Sequence, residues 1–98
     1  MATSVTTRHI FGTKDVASAG TAVVLDATER RLNSLMVIAH DDNVGRVFYG
    51  GSDVDSATQK GLAPGESIVI SGAPFPLSDI YIDAANANDG VDFVGARV

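Results

Sequence analysis

The chain has no cysteine. That excludes a disulfide framework, a thiolate metal site and a thiol nucleophile, and leaves stability to packing or to assembly with other chains. Tryptophan is also absent and aromatics make up only 6% of residues. Positive charge is scarce as well: 7 Lys and Arg stand against 12 Asp and Glu, a net charge of −5. This is opposite in sign to the footprint of a nucleic-acid binder, so no nucleic-acid partner is expected. No hydrophobic run approaches the roughly 20 residues of a membrane span, and the first residues lack the apolar stretch of a secretory signal. The expectation is a soluble chain with no membrane partner. Ninety-eight residues are too few for two independently cored units, which excludes a multidomain enzyme.

What is present points to β structure. Ten glycines and three prolines among many Ala, Ser and Thr suit turns joining short strands, while 45% apolar and 19% charged content argues against disorder. Residues 1–20 are polar, with Val5, Ile10, Phe11 and Val16 as sizeable apolar residues, and read as an extended N-terminal arm with one weak strand. A domain then fills 21–98. Its first strand is expected within 21–27, and the next within 32–40, where Leu35, Val37 and Ala39 share one face and Met36 and Ile38 the other. Both faces being apolar predicts a central, buried strand, hairpinned to a strand at 46–49. Residues 50–65 form a long connection ending in Pro64-Gly65, the chemistry of a type II turn, which launches a strand at 66–71.

Residues 72–76 carry the other two prolines and read as a crossing loop, with Phe75 and Leu77 plugging the core edge. Strict alternation over 79–84 turns Ile80, Ile82 and Ala84 inward and Tyr81 and Asp83 to solvent. Asp89-Gly90 then signals a hairpin into a last strand at 91–98. The fold class is all-β, a small single-domain sandwich or barrel of about six or seven short strands.

Chemistry is harder to find. His40-Asp41-Asp42-Asn43 groups one imidazole with three oxygen-bearing side chains, the composition of a turn. Asp41, Asn43, Asp53 and Asp55 are hard oxygen donors, but their spacing misses the calcium-loop pattern, so no metal is assigned. Gly50-Gly51-Ser52-Asp53 is neither a nucleophile elbow nor a phosphate loop. Ser52, His40 and Asp53 can be drawn as a triad only as any Ser- and Asp-rich chain allows. No catalytic residue and no cofactor is expected. Arg30, Arg31, Tyr49 and Tyr81 are the candidate subunit contacts, being charged or amphipathic groups of the kind enriched at interfaces. Tyr49 or Tyr81 stacking on a sugar, with Asp53 and Asp55 taking its hydroxyls, is the carbohydrate-binding alternative.

Three segments in order, NVGRVFYGGSDV at 43–54, GLAPGES at 61–67 and LSDIYI at 77–82, resemble small virion structural proteins of tailed bacteriophages. The resemblance implies a β-sandwich or barrel assembled on a phage particle, most often as a head decoration (cement) protein. It implies a homotrimer seated on the major capsid protein, made in the bacterial host cytoplasm and located on the virion. A tail, baseplate or head-fibre module is the alternative within the particle. Decoration proteins commonly carry an N-terminal arm that orders on the shell. From composition and position, Val5, Arg8, Ile10 and Phe11 are the candidate capsid-contact residues, acting by strand addition.

Overall fold

Alternation of large apolar residues with small or polar ones, the period of a half-buried strand, organises most of this chain. The structure, a computed structural model, describes residues 9–27, 31–54 and 61–97. Among them are seven strands: β1 (His9–Asp15), β2 (Val23–Val24), β3 (Arg31–Ala39), β4 (Val47–Gly50), β5 (Ser67–Pro76), β6 (Tyr81–Ala84) and β7 (Gly90–Arg97), with a 3-10 turn at Leu77–Asp79. They form two antiparallel sheets, β1-β7-β3-β5 and β2-β6-β4, packed as a β-sandwich. The all-β fold class expected from the sequence is the one observed.

The core lies between the sheets. Leu32, Leu35, Val37, Ala39, Val91 and Phe93 face it from the long sheet, and Val47, Ile82 and Ala84 from the short one. Connections close its ends with Val16, Leu25, Leu62 and Leu77. Pro64 and Gly65 make the expected turn: the Glu66 N–H donates to the Ala63 carbonyl oxygen at 2.9 Å, and Gly65 holds the positive φ (83°) that the third position of a type II turn requires.

Several expectations are corrected. β3 is central in its sheet but covered on one side only, since Met36 is 39% exposed. Neither expected hairpin forms, because β3 and β4 lie in different sheets, as do β6 and β7. Both connections cross the sandwich at the same end, where side chains clasp them. Asn43 bonds Gly90 as a neighbouring strand would, its Nδ2 donating to the Gly90 carbonyl oxygen and its Oδ1 accepting the Gly90 N–H, each at 2.9 Å. The buried Asp89 carboxylate accepts the N–H groups of Val44 and Gly45, both at 2.9 Å. The left-handed residue of the second crossing is Asn88 (φ 72°), not Gly90.

Residues 72–76 are not a loop but the end of β5, which sits at the sheet edge where proline needs no ladder donor. A register shift between Leu32 and Ser34 absorbs the irregularity. Residues 9–16 are not a free arm either. β1 pairs with β7 along its whole length, and Ile10 and Val16 are core residues. The remainder of the arm, with Val5 and Arg8, lies outside the described residues.

Candidate functional site

The two sheets present different outer faces. In the short sheet, Val47, Tyr49, Ile82 and Ala84 pack on the core, so alternation turns Phe48, Tyr81 and Asp83 outward. Yet Phe48 is 4% exposed and Asp83 1%. Chain connections roof them. Gly61 rests on the Phe48 ring, where a β-carbon would stand 2.6 Å from Cδ2. The Gly20 N–H donates to Asp83 Oδ1 at 3.0 Å, and the Ala84 N–H to the same oxygen at 2.7 Å. Asp83 is therefore not a solvated carboxylate, as its alternation suggests, but a buried acceptor holding a connection down.

The long sheet leaves its outer face bare. Phe11 pairs with Val94, Val94 with Met36 and Met36 with Val69, so these four side chains form one row across all four strands. They are four of the five exposed large hydrophobics among the described residues; the fifth, Val44, is on a crossing connection. Phe11 is 79% exposed. The next row, Thr13, Asp92, Ile38 and Ser67, borders a concavity of about 390 Å³ lined by Phe11, Thr13, Ile38, Asp92 and Val94.

This row also carries a polar cluster, in which Thr13 and Asp92 join His40 and Asp15 beyond them. Asp92 Oδ1 accepts from Thr13 Oγ1 and is 2.9 Å from His40 Nε2, while His40 Nδ1 is 3.9 Å from Asp15 Oδ1. The Thr13 hydroxyl, then the His40 ring, hold the Asp92 carboxyl below the ordinary carboxylate value. The arrangement does not activate a nucleophile: the Thr13 hydroxyl donates its hydrogen bond to Asp92, and the histidine faces the same carboxylate instead of the hydroxyl. The His40 nitrogens face Asp15 and Asp92, and these contacts do not form the triad drawn with Ser52 and Asp53. Asn43 spends both ends of its amide on Gly90. Among the described residues no three His, Asp or Glu side chains group as metal ligands.

The residues singled out from sequence scatter. Ile10 is buried in the core and cannot reach a partner, whereas its neighbour Phe11 is fully presented. Arg31 is exposed and donates to the Pro74 carbonyl oxygen at 3.1 Å. Tyr49 packs on the core and Tyr81 lies on the opposite face of the same sheet, so the tyrosines form no joint platform. Arg30 and Asp55 lie outside the described residues. The apolar row adds Met36, Val69 and Val94, which sequence reading missed. Its signal is exposed only once register is known, since the four residues are dispersed over the chain.

No protein-family profile matches the chain, and no curated protein does. Among solved structures, it is similar to a de novo designed double-stranded β-helix, with 17% identity and a TM-score of 0.47 over 93% of this chain and 99% of that one. It is also similar to a protein of the disulfide-linked pili that form Bacillus endospore appendages, with 19% identity and a TM-score of 0.41 over 92% and 87%. A third is the Tobacco streak virus coat protein, with 12% identity and a TM-score of 0.34 over 94% and 87%. These are distant likenesses between β folds.

Proposed function

We propose that the protein is a structural component of a tailed-phage particle, a head decoration (cement) protein that docks on the major capsid protein and performs no catalysis. The observation that carries this reading is the bare outer face of the long sheet, with its row of Phe11, Val94, Met36 and Val69. A row of large apolar side chains across a whole sheet face costs solubility and is retained where a partner covers it. The ordered motifs at 43–54, 61–67 and 77–82 supply the phage context, with the trimer that the resemblance implies. They build β4, the type II turn and β6, and contain none of the four row residues. The motifs therefore speak for the scaffold and the row for the contact.

Cementing then follows from linkage. A protein that binds only the assembled shell stabilises that state, and repetition on a symmetric lattice turns weak contacts into durable attachment. The test is the copy number relative to the major capsid protein in purified source particles, by quantitative mass spectrometry. The expected result is a fixed large fraction of the capsid copy number. A few copies per particle would move the protein to the tail, baseplate or a fibre. Absence from particles would discard the virion reading and bring carbohydrate binding forward.

A further inference from the structure

A sandwich of two sheets has four edges, and an open edge offers unpaired N–H and C=O groups to any extended chain. Three edges here are short or partly guarded. β5 carries Pro74 and Pro76 at its end, with the Arg31 guanidinium on the Pro74 carbonyl oxygen. β4 is covered by Leu62, which donates its N–H to the Val47 carbonyl oxygen at 2.7 Å and accepts the Val47 N–H at 3.0 Å. β2 is two residues long. The fourth edge, β1, runs seven residues without proline and, among the described residues, pairs only with β7.

The direction of its backbone groups follows from Val16. Its N–H donates to the Asp89 carbonyl oxygen at 2.8 Å and its own carbonyl accepts the Asn88 N–H at 2.7 Å, so Val16 turns both groups to the β7 side. These groups alternate residue by residue in an antiparallel ladder. Ile10, Gly12 and Lys14 thus also turn toward β7, and His9, Phe11, Thr13 and Asp15 turn outward.

We propose that β1 pairs with β1 of a second copy of this chain, antiparallel about a two-fold axis at Gly12, fusing two long sheets into one. Gly12 is the midpoint of the strand, so this register brings every outward residue against an outward residue. Phe11 faces the second copy's Thr13, and His9 faces the second copy's Asp15. A register shifted by one residue sets outward groups against inward ones and forms no ladder; a shift by two leaves an end unpaired. The charges also fit. Asp15 meets a histidine, Lys14 meets the second copy's Ile10, and no like charges face each other. Across the seam each apolar row meets the Thr13, Asp92, Ile38 and Ser67 row of the other copy, so the two Phe11 side chains are diagonal neighbours about the two-fold axis, within reach of aromatic rings. It joins two protomers or two larger units equally, and goes beyond the decoration reading without depending on it.

Sedimentation of the full chain tests the proposal. The mass at high concentration should be an even multiple of the protomer. Thr13→Pro deletes an outward N–H that β7 does not use, and should halve that mass while the far-ultraviolet circular dichroism stays unchanged. If Thr13→Pro does not fold, a charge exchange decides. His9→Asp, which sets a carboxylate against the second copy's Asp15, weakens association roughly tenfold. The double variant His9→Asp with Asp15→Lys restores it. An odd-multiple mass for the unmodified chain, or association indifferent to these substitutions, overturns the proposal.

Discussion

Two phenylalanines and two aspartates, each turned outward from its own sheet, meet opposite fates. Phe48 and Asp83 on the short sheet are 4% and 1% exposed, whereas Phe11 on the long sheet is 79% exposed and Asp92 lies in solvent. Strand length explains the difference. The short sheet is built of strands of two and four residues, too small to hold together by one buried face, so the chain folds connections over its other side. Strands of seven to ten residues in the long sheet bury enough on the inner face alone. Its outer face is released from stabilising the fold and is available to a partner. Substitutions on the short sheet's outer face should therefore cost stability, and those on the long sheet's should cost association.

The phenylalanine pair gives the largest contrast. Phe48→Ala removes a buried ring and should destabilise by about 3–5 kcal/mol in denaturant unfolding. Phe11→Ala should stay within about 0.5 kcal/mol, as exposed positions do. Equal losses would mean that Phe11 is also buried in the folded protomer. The aspartates come next. Asp83→Ala takes the shared acceptor from the Ala84 and Gly20 N–H groups, leaving Gly20 only its longer bond to the Ala84 carbonyl oxygen at 3.3 Å, and should cost about 1–3 kcal/mol. A smaller loss would show that water replaces the carboxylate beneath the roof.

This division was only half legible in the sequence. Alternation assigned Leu35, Val37 and Ile82 to the core correctly, because the inward residue of a strand is fixed by period two whatever its neighbour. Pairing is not fixed that way. The segments at 32–40 and 46–49 look like a hairpin locally, but Asn43 and Asp89 spend their side chains on the opposite crossing and send each chain to the other sheet. Nothing local distinguishes such an asparagine from one in a tight turn. Asp83 shows the same limit: alternation gave its side of the sheet, and only the tertiary fold brings Gly20 over it. The contact row was invisible for a related reason. Met36 reads as core because its neighbours are apolar, and its alignment with Val94 and Phe11 exists only through register.

The middle of the row sharpens the contrast between stability and association. Met36→Ser with Val94→Ser should lower stability by no more than about 1 kcal/mol in total. The same pair should abolish binding to purified capsid shells in a co-sedimentation assay, since it removes the centre of the apolar surface. Retained binding would move the capsid contact off this face, leaving β1 pairing to account for Phe11 alone.

Asp92 should give the smallest effect, and its sign can be worked out. Its carboxyl is held below the ordinary value of 3.8 by the Thr13 hydroxyl and then by His40. A carboxylate depressed in the folded state contributes stability above its unfolded value and loses it as pH falls through the folded one. Asp92→Asn should therefore cost under about 1 kcal/mol at neutral pH, the range for exposed pairs. The cost should hold steady down to the unfolded value and vanish below it as the native carboxyl takes up its proton. Thermal unfolding of both proteins across that range checks this. A gap that widens toward acid would mean that the protonated carboxyl steadies this corner of the bare face better than the carboxylate does.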